Sequence, residues 1–110
     1  MNSPLHHGPL KPADFHVLLV LMDGPLHGYG IMKGVEQESR GEVRLEIGSL
    51  YRLLGRLLAE GLLEMGDDDG RRRAYSLTPL GRRVLKAEAQ RLVHLVGRMR
   101  ARKLLPGADV

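Results

Sequence analysis

The sequence predicts one mainly α-helical domain that carries a small β-hairpin, and three observations lead to this fold class. Apolar residues recur at helical spacing in four segments. Glycine or proline stands where these segments end. Two short apolar runs flank a turn-forming segment between the third and fourth helices, as the strands of a hairpin do. The length, 110 residues, is that of a single domain.

Composition narrows the class of protein further. The chain has no cysteine, which excludes disulfides and thiolate metal sites and agrees with a reducing compartment. The longest apolar run, residues 17–22, is far shorter than the ~18 residues that a membrane span needs. No basic region leads into an apolar stretch at the start of the chain, so no secretory signal is visible. We therefore expect a cytoplasmic protein.

The first helix is expected to follow a flexible arm, residues 1–9, that is rich in Pro, Gly and His. It starts near Pro12, because proline suits the first position of a helix. It ends at the stop signal formed by residues 23–25 (DGP). Its predicted apolar stripe consists of Phe15, Leu18, Leu19 and Met22.

The second helix is predicted to follow residues 27–29 (HGY) and to run to about Ser39. Gly30 and Gly34 lie four residues apart on one of its faces. Each glycine costs about 1 kcal/mol relative to alanine inside a helix. Close approach of another helix is the simplest reason for them, and a marginally stable helix is the alternative. Residues 43–45 are predicted as a short strand before the third helix.

The third helix, residues 47–60 with a stop at Gly61, is the predicted DNA-reading element. Its leucines at 50, 53, 54, 57 and 58 commit one face to the core. The opposite face carries Gly48, Ser49, Arg52, Gly55, Arg56 and Ala59. Small residues around two arginines suit close approach to a DNA major groove, where arginine contacts to guanine are the commonest specific ones. Tyr51, at the edge of this face, is placed to donate to a phosphate. The alternative is an ordinary surface helix with an unfavourable glycine.

Residues 62–65 and 73–77 are the predicted strands of the hairpin, with the turn at residues 66–70. Tyr75 and Leu77 are expected to pack inward. Arg71, Arg72 and Arg73 lie where the turn re-enters the second strand, placed to contact the DNA backbone or minor groove. Asp67, Asp68 and Asp69 at the tip repel phosphate, so we expect the base of the hairpin and not its tip to contact DNA.

The last helix is predicted from a Thr78 cap and Pro79 to about Lys103, before a stop at residues 106–107. Leu85, Ala89, Leu92, Val96 and Met99 repeat at spacings of four and three. This seam predicts dimerisation, because the helix is longer than the small core that it could cover. The alternative is that it folds back on its own domain.

Three short helices, a hairpin and a long helix form a winged helix-turn-helix arrangement. We divide the chain into the arm (1–9), a DNA-binding domain (10–78), a dimerisation helix (79–104) and a flexible tail (105–110). The charge is uneven: residues 1–49 carry four cations and six anions, whereas residues 50–103 carry thirteen cations and six anions. A basic half of this kind indicates a polyanionic partner, and double-stranded DNA fits it best.

Four segments resemble the PadR family of bacterial transcriptional regulators. They are residues 26–31 (LHGYGI), 48–54 (GSLYRLL), 60–63 (EGLL) and 70–81 (GRRRAYSLTPLG). The resemblance implies a winged-helix homodimer that represses transcription by occupying a promoter, in the short form with one carboxy-terminal helix. Its DNA-facing positions correspond to Tyr29, Ser49, Tyr51, Arg52 and the three wing arginines, and we add Lys33 to this surface.

The chain also departs from the family. Lys11 and Glu46–Ile47 stand where the family often has Ser or Thr before Pro, which predicts weak caps for the first and third helices. The chain has no tryptophan, so binding of flat aromatic drugs between paired tryptophans, known for some short members, does not carry over.

The expected function is therefore a sequence-specific repressor that binds a palindromic site as a homodimer. Whether a small-molecule effector relieves repression stays open. The alternative is a winged-helix module that contacts proteins and does not read DNA. An enzyme is not expected, since the sequence has no cysteine nucleophile, metal-binding histidine pair, phosphate-binding glycine loop or paired carboxylates. We expect no catalytic residues, no metal and no cofactor.

Overall fold

A computed structural model describes residues 8–66 and 73–106 of the chain. The described elements are α1 (Pro12–Val20), α2 (Gly28–Glu38), α3 (Ile47–Ala59), β1 (Leu63–Met65), β2 (Tyr75–Leu77) and α4 (Pro79–Ala101). The strands pair antiparallel, with Glu64 opposite Ser76. The fold class predicted from the sequence, a mainly helical chain with a small hairpin, is confirmed.

The core lies between α1, α2 and α3 and is closed by the hairpin and the start of α4. Its largest fully buried side chains are Leu18, Ile31, Leu50, Leu54, Leu57, Leu62, Val17 and Val35. The leucine spacing of α3 accounts for this directly, because residues three and four apart share one helix face. Leu58, at the edge of that face, is only partly buried.

The end of the first helix differs from the prediction. The helix changes at Leu21 into a single 3₁₀ turn, Leu21–Asp23. A 3₁₀ turn has about 3.0 residues per turn and not 3.6. Leu21 shares the buried face of Val17 and Leu18, four and three residues before it, and Met22 stays 41% exposed. Gly24, with φ of +133°, then reverses the chain.

The hairpin has an additional partner that the sequence did not predict. Leu26 and Tyr75 form an isolated antiparallel bridge, in which the N–H of each donates to the carbonyl of the other, at 3.1 and 2.8 Å. The strand predicted at residues 43–45 does not form. The N–H of Val43 instead donates to the Ser39 hydroxyl at 2.9 Å, so this backbone group is satisfied locally.

Two glycines mark close approaches between elements. A Cβ atom on Gly34 would stand 2.7 Å from Cγ1 of Val20, which confirms that α1 approaches α2 closely there. At Gly81 a Cβ atom would collide with the carbonyl oxygen of Leu62. The first turn of α4 therefore packs directly on the backbone leading into β1.

Helix α4 begins as predicted, with the Thr78 hydroxyl accepting from the N–H of Gly81 at 2.9 Å. The other two caps are weak as expected, since neither Lys11 nor Glu46 makes a side-chain cap hydrogen bond. With 23 residues, α4 is about 34 Å long. Its described residues after Glu88 are all partly or fully exposed. None of the described helices is both long and apolar enough to cross a membrane.

Candidate nucleic-acid interface

The face of α3 opposite the leucines is uncovered. Gly48, Arg52, Gly55, Arg56 and Ala59 are exposed, and Ser49 is partly buried. A Cβ atom on Gly55 would have no atom within 4 Å, so this glycine is not needed for packing inside the domain. The small residues leave a shallow surface on which only the two arginines project. Such a surface admits the close approach of a rigid object along the helix.

Arg52 is the arginine of this face that is available for binding. Its Nη2 donates to the Ser49 hydroxyl at 3.3 Å, one turn earlier on the helix. A Cβ atom on Gly48 would stand 3.6 Å from its Nη1, so the guanidinium lies along the start of α3. Within residues 8–66 and 73–106 no carboxylate forms an ion pair with it. Among these residues the neutral Ser49 hydroxyl is its hydrogen-bond partner, so its charge is not neutralised there.

Arg56 is held differently, although it lies only one turn further along α3. Its Nη1 and Nη2 donate to the two carboxylate oxygens of Asp14 on α1, at 3.0 and 2.8 Å. The Asp14 side chain is 7% exposed and that of Arg56 is 43% exposed. A carboxylate of Glu60 lies 3.8 Å from Nη1. The hydrogen bond to Asp14, opposed by partial burial, raises the pKa of the Arg56 guanidinium. Arg56 thus ties α3 to α1.

Tyr51 bridges the starts of α3 and α2. A Cβ atom on Gly28 would stand 2.5 Å from its hydroxyl oxygen, so Gly28 provides the space that the ring occupies. Tyr51 is still 50% exposed. Tyr75 is 8% exposed and packs inward as predicted. Burial raises the pKa of the Tyr75 hydroxyl, and the nearby Tyr51 hydroxyl adds to that rise.

A second pair of side chains projects from α2. Tyr29 is 64% exposed, and Nζ of Lys33 lies 5.5 Å from the centre of its ring, within cation–π range. In the wing, Arg73 is exposed just before β2. The other predicted wing residues, Arg71, Arg72 and the three aspartates at the tip, lie outside the described residues.

Leu85, which the sequence assigns to the dimer seam, is not available for dimerisation in the structure. It is 5% exposed and belongs to the core of its own domain, together with Val84 on α4. The start of α4 thus folds back on the domain, so the uncovered part of the seam begins after Leu85. There Leu92 and Val96 are partly buried and Ala89 and Met99 are exposed. Val93 and Leu95, at 70% and 40% exposure, widen the apolar surface.

Sequence reasoning missed two residues of this region. Asp14 was not assigned a role, although a lone acid inside the apolar pattern of α1 was a signal that a buried charge needs a partner. Ile47, the first residue of α3, is 61% exposed. No group of three or more His, Cys, Asp or Glu side chains capable of holding a metal ion exists in the described part of the chain.

Comparison with known proteins relates the chain to one family. The family described as "Transcriptional regulator PadR-like family" matches residues 17–87. An uncharacterized 37.1 kDa protein in transposon TN4556 of Streptomyces fradiae is 46% identical over 87 residues, which are 79% of this chain and 25% of that protein. The chain thus spans a quarter of the length of that relative. Transcriptional regulator Rv3488 of Mycobacterium tuberculosis is 38% identical over 95 residues, covering 84% of this chain and 81% of its own.

Solved structures share the fold at lower identity. A PadR family transcription regulator from Clostridium difficile R20291 superposes with a TM-score of 0.70 at 23% identity, over 81% of this chain and 95% of its own. A PadR-like transcriptional regulator from Bacillus cereus gives 0.70 at 20% identity, over 84% and 92%. These likenesses establish the winged-helix fold of the chain.

Proposed function

Because the chain belongs to the PadR-like family of transcriptional regulators, we propose that it binds duplex DNA with sequence preference through α3 and represses transcription from a palindromic promoter site. One observation carries the proposal: the outward face of α3 is small, uncovered and centred on an arginine with no carboxylate partner in the described chain. An arginine paired with a carboxylate would have to lose that partner before it could bind DNA, whereas Arg52 would exchange a 3.3 Å hydrogen bond to a neutral hydroxyl.

The two arginines of α3 take different parts in this proposal. Arg52 reads a guanine, since its planar guanidinium matches the O6 and N7 acceptors of that base in the major groove. Arg56 orients α3 through its ion pair with Asp14. Because that carboxylate partly neutralises its charge, Arg56 contributes less than Arg52 to the attraction of DNA. Ser49 supports Arg52, and Tyr51, Tyr29 and Lys33 contact phosphates from the edges of the same surface.

The wing contributes contacts that do not depend on sequence. Arg73 is exposed at the base of β2, and we assign it, with Arg71 and Arg72, to the phosphate backbone. Contacts of this kind position a protein on the duplex and supply much of its affinity.

A homodimer completes the proposed function. The apolar residues of α4 that follow Glu88 pair with those of another copy: Ala89 and Met99, which are exposed, and Leu92 and Val96, which are partly buried. Two-fold symmetry then presents two α3 helices to half-sites about 34 Å apart. The protein acts in the cytoplasm, needs no cofactor and catalyses no reaction. An effector is not assigned.

Binding to DNA selected from random duplexes tests the proposal. We expect binding that weakens steeply with salt, by about 0.9 log units per tenfold salt for each neutralised phosphate. Arg52→Ala should lose preference for the selected sequence over random duplex by about ten- to a hundredfold per half-site, the discrimination of one bidentate contact. Arg98→Ala, which removes an equal charge near the far end of α4, should leave that preference unchanged.

Two outcomes contradict the proposal. If the wild-type protein binds no duplex even at low salt, the protein-contact alternative replaces it. If the protein binds but Arg52→Ala and Arg98→Ala retain the same sequence preference, α3 is not the reading helix.

A further inference from the structure

Ile47 is an exposed apolar side chain at the start of the reading helix. Its exposure is 61%, higher than that of Tyr51 at 50%. The exposed tyrosines carry a hydroxyl that water solvates, and the exposed apolar residues of α4 belong to the proposed dimer seam. Ile47 has neither explanation, because its side chain is wholly hydrocarbon and it lies on α3 and not on α4.

The position of Ile47 in α3 explains why its own domain leaves it uncovered. It is the first helical residue, one turn before Leu50, which is 1% exposed. The apolar pattern of α3 thus continues beyond the end of the core. Tyr51 follows one turn later on the same edge of the helix and packs against the start of α2. The Ile47 side chain consequently extends the surface formed by Tyr51 and Arg52 at the amino-terminal end of α3.

We propose that Ile47 contacts the C5-methyl group of a thymine in each half-site and thereby sets a base preference next to that of Arg52. This inference rests on the proposed function. The amino-terminal residues of a reading helix are those that reach base edges. In the major groove only thymine presents a methyl group, and apolar contact with it distinguishes thymine from the other bases. Burying the isoleucine against that methyl removes both apolar surfaces from water.

Replacing thymine by uracil tests the contact, because it removes the methyl group and leaves base pairing intact. The duplex is the sequence selected by the wild-type protein, with each thymine changed to uracil in turn. At one symmetric pair of positions we expect wild-type affinity to fall about fourfold per half-site, the loss for one buried methyl group, and about fifteenfold for both. At that same pair, Ile47→Ala should bind the thymine and uracil duplexes equally.

Two controls separate this contact from general weakening. Arg52→Ala should keep the thymine-over-uracil preference of the wild type, because it removes a different base contact. Ile47→Val should keep part of it, since one branch of the side chain remains. Retention of the wild-type helical circular dichroism spectrum by Ile47→Ala is the check on folding. The wild-type measurements on uracil duplexes need no variant at all.

The outcomes distinguish this inference from the function on which it rests. Absence of any duplex binding overturns the proposed function. Sequence-selective binding in which the wild type is indifferent to every thymine-to-uracil change overturns the inference alone. An Ile47→Ala variant that keeps the full thymine preference does so as well.

Discussion

Replacing Arg56 with alanine is expected to destabilise the fold by about 2 kcal/mol. The variant leaves the Asp14 carboxylate, 7% exposed, without its two guanidinium hydrogen bonds. Removing one partner of a buried ion pair typically costs about 3–5 kcal/mol. The Arg56 side chain is 43% exposed, so water screens the pair and the expected loss is smaller. The same change on Arg52, which lacks such a partner in the described residues, is expected to stay within about 0.5 kcal/mol.

Urea unfolding at a fixed protein concentration measures this loss, since the proposed dimerisation would make stability depend on concentration. In thermal unfolding the melting temperature should fall by about 10 °C, because each kcal/mol of lost stability lowers it by about 4–8 °C in a small domain. In an Asp14→Asn background the Arg56→Ala change should cost much less, because no buried charge is left unpaired. Equal losses in the two backgrounds, or an Arg56→Ala protein as stable as the wild type, would show that the pair does not join α1 to α3.

Three further predictions concern other parts of the molecule. Gly55→Ala should raise stability by about 1 kcal/mol, because a Cβ atom there has no other atom within 4 Å, and it should weaken DNA binding. Gly34→Ala should be less stable than Gly55→Ala by about 1–3 kcal/mol, because its Cβ atom would stand 2.7 Å from a methyl group of Val20. Calorimetry measures the stability of both variants and gel shifts measure their DNA binding. Arg91 donates two hydrogen bonds to the Glu88 carboxylate, at 3.0 and 2.6 Å. These bonds lower the pKa of Glu88 below its ordinary value of 4.5, although burial opposes them. The stabilisation from Glu88 is therefore present above pH 4.5 and is lost as the pH falls through the lower pKa of the folded state. Glu88→Gln should accordingly be less stable at neutral pH and show a shallower decline in acid unfolding curves. Val96→Asp should convert the dimer to monomer in light scattering without loss of helix, and a dimeric Val96→Asp protein would move the interface elsewhere.

The elements could be predicted because their signals are local. The Thr78 hydroxyl caps the start of α4, and Gly61, with φ of +78°, follows the carboxy-terminal end of α3. The end of the first helix at Leu21 and the bridge between Leu26 and Tyr75 could not be predicted. Both depend on how segments pack, and spacing along the chain carries no information about a partner 49 residues away.

In the candidate site, too, local sequence predicts which residues share a face, and only the folded chain shows which side chains pair. Arg52 and Arg56 are equivalent in the sequence, since both lie on the polar face of α3, one turn apart. The structure separates them through Asp14, 42 residues before Arg56. Only the folded chain reveals that the Arg56 guanidinium binds a carboxylate of its own domain, whereas Arg52 has no carboxylate partner among the described residues.

The placement of Leu85 connects the two halves of the proposed mechanism. A helix that served only as a dimer seam would join the DNA-binding domain through a hinge, and the distance between the two reading helices would vary. Here Leu85 and Glu88 fix the first half of α4 in the domain, at 5% exposure each. The second half continues as the same unbroken helix to Ala101. The proposed seam is therefore rigidly attached to the core that α3 packs against. In the proposed dimer, the crossing angle of the two α4 helices would determine the half-site spacing that the protein accepts.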